Sequence, residues 1–221
     1  MEDINYIKFL GPSHLAYIVI VILSGWLLFK YKDQLQSYRH MMTPIILSIS
    51  IIQQGLLYGT YLSEGFPLDE ALPLHISRIN TLIGLGFLLA PSRKWMPYLT
   101  YFSVFAWLSF IYPSRIEPIT NLRGLSFLMN HLITIYMPFY ANFAYKYSIK
   151  KGDWAIAWLG FIFYLIIAYI VNQKVNGNYF YMKYKPIIPN SPLWLYLIIA
   201  GIVTYLLFRI MEYLCLKLIK S

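Results

Sequence analysis

Histidine is the side chain best suited to moving protons near neutral pH. This sequence sets three of its four histidines among apolar residues: His14, His75 and His131. An ionisable group inside a bilayer span costs about 2.5–3.5 kcal/mol on insertion scales, so each such position needs a reason. His75 stands three residues before Arg78, a spacing that puts both on one helix face. A histidine beside a hydroxyl acts as general acid or base, and an arginine fork grips a phosphate bidentately. Ser77 is a candidate nucleophile only with a base within hydrogen-bond reach. Residues i and i+2 do not face each other on a helix, so that base would be His131 or His14 rather than His75. Gln53, Gln54, Asn80 and Asn130 add amides to the set. The same residues admit a structural reading, with His, Gln and Asn hydrogen-bonding between helices and Arg78 snorkelling to head groups. Three histidines also raise a zinc site. The different depths of His14 and His131, the latter about 12 Å below Arg123 on a helix, argue against it. No metal and no cofactor are expected.

The elements that hold these residues are membrane helices. The chain has 221 residues, 59% hydrophobic and 12% charged, against roughly 25% charged in a soluble domain. Apolar runs fall at about 12–30, 41–62, 72–90, 95–112, 122–145, 153–171 and 192–215, each near the ~20 residues that a helical span needs. They predict an all-α fold: one polytopic domain, a bundle of seven transmembrane helices, in a cell membrane. With the N-terminus outside and the C-terminus inside, eleven Lys and Arg residues from Lys30 to Lys220 fall on inner segments. Six (Lys8, Arg115, Arg123, Lys174, Lys183 and Lys185) fall on outer ones, and Arg78 lies in a span. That is the expected inward bias. Glu2, Asp3, Glu64, Asp69, Glu70 and Glu117 offset the outer cations, and the last three loop acids before His75 are available to Arg78.

The net charge of +9 sits in short loops, not on a polar helix. It reads as topology and contact with anionic lipids rather than nucleic-acid binding. Cys215 is the one cysteine, so neither an intrachain disulfide nor a cysteine metal cluster is available. The acidic start argues against a cleaved signal peptide. The longest expected loop, 172–191, interleaves Tyr179, Phe180, Tyr181, Met182 and Tyr184 with Lys174, Lys183 and Lys185. Loops longer than ~12–15 residues are usually functional or disordered, and this one is too aromatic to stay solvated. It is either an interfacial turn or a lid in which Asn178 and Tyr179 cover a cavity near His75 and His131, with Lys185 or Lys183 meeting an anionic head group.

Four stretches carry a resemblance: Phe9-Leu-Gly-Pro-Ser-His14, Leu72-Pro73-Leu74-His75, Asn130-His131, and Asn172 followed by Asn178-Tyr179-Phe180-Tyr181-Met182 and Lys185-Pro186. In this order they resemble the YwaF-type bacterial integral membrane family of small seven-helix proteins. That family is distantly similar to an animal transmembrane acyltransferase that moves polyunsaturated acyl chains between phospholipids. The resemblance implies a lipid-directed enzyme with a Cys–His pair. The family commonly has cysteine two residues after the histidine of Leu-Pro-Leu-His, where this chain has Ser77. A thioester route through that position is therefore closed, and Cys215 lies at the opposite end of the last helix.

Two functions remain open. One is an outer-leaflet acyl or related group transferase, with His75 and His131 as acid/base, Ser77 as alternative nucleophile, and His14, Arg78, Gln54, Asn130, Asn178, Tyr179 and Lys185 around the substrate. The other is a non-enzymatic lipid-binding, transport or assembly subunit, with membrane lipids or another membrane protein as partner.

Overall fold

The computed structural model describes residues 6–113, 116–185 and 188–220. Glu2, Asp3, Arg115 and Pro186, which entered the charge count and the loop motif, lie outside the described residues. Among the described residues all regular structure is helical: α1 (Pro12–Lys30), α2 (Leu35–Ser63), α3 (Leu68–Ala71), α4 (Ile76–Leu89), α5 (Met96–Ile111), α6 (Leu122–Tyr145), α7 (Asp153–Val175) and α8 (Leu193–Lys220). Single 3₁₀ turns sit at Arg93–Trp95 and Tyr179–Tyr181.

Helices α1 and α6 start and stop where the apolar runs do. Elsewhere hydropathy misplaced the ends. Helix α2 begins at Leu35 and α7 continues to Val175, because polar side chains outside the hydrocarbon layer leave the backbone ladder intact. Helix α4 starts at Ile76, not at residue 72. Pro73 explains the delay: it disfavours helical geometry at the residue before it, and Leu72 is extended (φ −61°, ψ 150°). His75 is consequently the extended N-cap of α4 (φ −69°, ψ 137°), so the expectation that it shares a helical face with Arg78 is corrected.

Helices α1, α2, α7 and α8 are long and apolar enough to cross a membrane. Helix α4, at 14 residues, spans only about 21 Å of a ~30 Å hydrocarbon core. Loop contacts alternate between the two ends of the bundle. At one end Ile7 N–H donates to Ile116 O (2.8 Å), Arg123 pairs with Glu64, and Tyr179 reaches the α3 segment. At the other, Arg93 pairs with Asp153 and Gly152 N–H donates to Glu212 (2.7 Å). Helix α6 packs on α1, α2, α4 and α5, and α7 on α5 and α8. A large core around Phe87, Tyr101, Phe102, Phe161 and Phe208 and a smaller one around Tyr17, Phe110, Leu128 and Ile135 fill the interior.

One close approach fixes the start of α6. A Cβ at Gly124 would lie 2.0 Å from Pro118 O and 2.5 Å from Glu117 O. Tyr17 Oη sits at the same place, 2.8 Å from Glu117 O. Gly124→Ala should therefore displace the α5–α6 loop and cost about 1–3 kcal/mol as overpacking. Gly59→Ala, with nothing within 4 Å of its Cβ position, should not. Thermal unfolding of the two variants in detergent checks the contrast.

Candidate functional site

The loop before α4 is held by a buried arginine. Arg78 donates from Nη1 to the main-chain oxygens of Glu70 (2.6 Å) and Leu72 (3.1 Å), and from Nη2 to Tyr61 Oη (2.5 Å). Tyr61 Oη in turn donates to the Glu70 carboxylate (3.3 Å), and the guanidiniums of Arg78 and Arg123 each lie 5.0 Å from its ring centroid. The upstream acids thus reach Arg78 through a carbonyl and a tyrosine, while Glu64 pairs with Arg123. Arg78 thereby commits three of its five N–H groups to positioning the α3–α4 segment.

From the opposite side the α7–α8 loop grips the same segment. Tyr179 is fully buried. Its hydroxyl donates to Leu68 O (2.7 Å) and accepts from Leu72 N–H (3.0 Å), while Asn172 brackets its main chain through both amide atoms (2.9 Å each). Burial pushes the Tyr179 hydroxyl up to about 12, partly offset by the Leu72 amide and Arg78, so it remains a donor throughout the physiological range. Phe180, at φ 55°, turns inward onto Phe161 and Tyr164. Asn178 Oδ1 accepts from the main-chain amides of Lys183 (2.9 Å) and Tyr184 (3.0 Å), shaping the turn rather than facing a cavity. Lys185 is half-buried on the same loop.

His75 lies inside this clasp. Its ring meets the Tyr179 ring edge-on, centroids 5.1 Å apart, and neither imidazole nitrogen has a hydrogen-bond partner among the described residues. The amides of Ile76 and Ser77 head α4 without an intrahelical partner, since the ladder begins with Arg78 and Ile79 donating to His75 O. A helix start of this kind favours negative charge. Leu74, the preceding residue, lines an apolar groove of about 280 Å³ between α4, α5 and α7 that also touches Ile79, Tyr98, Phe102 and Phe163. Phe163 opens that groove to the outside of the bundle.

The other two histidines lie elsewhere. His14 Nδ1 accepts from Leu10 N–H (3.0 Å), so Nε2 carries the proton donated to Phe110 O (2.7 Å). Both nitrogens are used, leaving none for substrate. His131 packs on Phe127 and Phe110, and its Nδ1 donates to Phe127 O (2.8 Å). A carbonyl only accepts, so neutral His131 keeps a lone pair on Nε2. It borders the smaller core near His14, however, and among the described residues no contact joins it to His75 or Arg78. Its neighbour Asn130 points the other way and accepts from Thr81. Gln53 donates to Ser126 (2.7 Å) and accepts from Gln54 (2.8 Å). Ser77 shares the α4 stripe of Thr81, one turn nearer the clasp. Asn80 is buried with both amide atoms unpaired. Among the described residues no three His, Cys, Asp or Glu side chains converge on a metal position.

A family model described as the TMEM164 family matches residues 9–212, which takes in α1 to α7, most of α8 and every residue of the site. The chain belongs to the TMEM164 family. This is a family of transmembrane proteins, in keeping with four helices long and apolar enough to cross a bilayer. No curated protein and no solved structure matches. For a TMEM164-family chain the clasp around His75 has parts that sequence reasoning missed. Tyr61 was one aromatic residue within the second apolar run, and Asn172 entered only as the first residue of the loop motif, with no bond to Tyr179 foreseen.

Proposed function

We propose that this TMEM164-family protein is a lipid-directed acyl or related group transferase, of the YwaF type, in a bacterial cytoplasmic membrane. The observation that carries the reading is an uncommitted imidazole, His75, at a helix start with free amides and next in the chain to Leu74, which lines an apolar groove. In this reading a lipid ester lies with one chain along Leu74 and its carbonyl oxygen toward the Ile76 and Ser77 amides. His75 takes the proton of an acceptor hydroxyl as its oxygen attacks the ester carbon. The departing alcohol then receives that proton, so one ester is exchanged for another and His75 is restored. Donors aimed at the developing oxyanion supply the electrostatic part. Ser77 is dispensable here, and Ser77→Ala should keep at least a third of the wild-type lipid turnover; a complete loss would move the nucleophile to Ser77. The test of the function is a lipidomic comparison of cells with and without the protein. A defined redistribution of acyl chains supports transfer, and identical profiles reject it.

The second reading, a binding or assembly subunit, draws on Arg78, His14 and Gln53, whose hydrogen bonds all tie one element to another.

Both readings include seven crossings with the N-terminus outside, α4 and α5 being completed by the segments that flank them. A single cysteine at Ser191, with Cys215 replaced, should react with an impermeant reagent in intact cells, while one at Ser148 stays protected. The reverse pattern would invert the orientation.

A further inference from the structure

The bundle end farthest from His75 carries a second recess, built on α8 and the turn before α7. Arg209, Glu212, Tyr213, Leu216 and Lys217 form one helical stripe (i, i+3, i+4, i+7, i+8), and with Lys151 they line a cavity of about 550 Å³. Glu212, the one acid among them, is buried and already accepts the Gly152 N–H at 2.7 Å. Among the described residues no carboxylate pairs with Lys151, Arg209 or Lys217. Three cations therefore surround the recess with at most one charge to offset them. Arg209 is held in place by its guanidinium, 5.0 Å from the Trp154 ring, which Tyr205 braces edge-on at 5.1 Å.

The surroundings say what sort of anion fits. Trp154 and Tyr213 are the ring types that gather at membrane–water boundaries. Leu206, Ile210 and Leu214, on the same helix, present apolar side chains outward. We infer that this recess is a binding site for an anionic phospholipid, its phosphate among Lys151, Arg209 and Lys217 and its chains along the outer face of α8. Neither transfer chemistry nor the His75 clasp enters this assignment.

The test uses the purified full-length protein in detergent and native mass spectrometry with phosphatidylglycerol, phosphatidylcholine of matched chains, or inorganic phosphate. Each basic residue near an anionic head group contributes roughly a fivefold gain. Wild-type protein should thus retain phosphatidylglycerol over phosphatidylcholine by roughly 25-fold from two net charges. Lys151→Gln with Arg209→Gln should bring the ratio near one, while Lys8→Gln with Lys174→Gln, exposed at the other end, should leave it unchanged. Equal loss in both double variants, or an unaltered preference in the first, overturns the site. Displacement of the lipid by millimolar phosphate would assign the recess to free phosphate and overturn the lipid assignment.

Discussion

Cells in which His75→Gln replaces the wild-type chain are expected to lose the acyl redistribution while keeping the protein in the membrane at its normal level. A positioned general base contributes about 10²–10⁴-fold, and glutamine fills similar space without accepting a proton. The size of the effect follows from what surrounds His75. Arg78, Tyr61, Tyr179 and Asn172 are all bonded to one another or to main chain, so no neighbour is free to take the proton instead. His14→Gln should behave differently. His14 bridges Leu10 and Phe110, so its loss should lower the amount of folded protein without changing turnover per molecule. Turnover normalised to protein separates the two, and equal normalised losses would remove His75 from its special place.

The other large effect is on stability. Arg78→Met should destabilise the fold by about 3 kcal/mol or more. Hydrogen bonds to charged groups are worth about 1.5–3 kcal/mol each, and the acceptors left behind, Glu70 O, Leu72 O and Tyr61 Oη, would stay desolvated. Lysine should not rescue it, because one ammonium cannot span three acceptors as the planar fork does. Tyr179→Phe strips the hydroxyl from the other side of the same segment and leaves the Leu72 amide unmet, for about 1–3 kcal/mol. The two side chains hold one loop, so the double variant should cost less than the sum. Thermal unfolding across the cycle measures this. Strict additivity would mean that Arg78 and Tyr179 stabilise separate regions.

The contrast between helix and loop explains how far the sequence was legible. The apolar runs at about 12–30 and 122–145 coincide with α1 and α6, since hydropathy and helix formation change together there. They diverge at Pro73, where composition remains apolar but the backbone cannot be helical, and His75 left the helix for that reason. Arg78 was visible as an oddity. Its partners were not, because main-chain carbonyls have no sequence signature. The three histidines looked alike in the sequence, each a polar residue among apolar ones. Only the geometry separates His14, with both nitrogens bonded, from His131, with one, and from His75, with none. Grouping His75 and Arg78 with His131 around one substrate rested on the shared direction of their helices and on the i,i+3 spacing of His75 and Arg78. Direction says nothing of rotation about the axis, and α6 turns Asn130, not His131, toward α4.

The most direct test of transfer at His75 uses purified protein in vesicles holding a phospholipid with one labelled acyl chain and an unlabelled lysophospholipid. Label should appear in the acceptor with wild-type protein and with Ser77→Ala, and should fall at least 100-fold with His75→Gln, in the range set by general-base catalysis. Label transferred equally by wild type and His75→Gln, or by neither, would contradict the account.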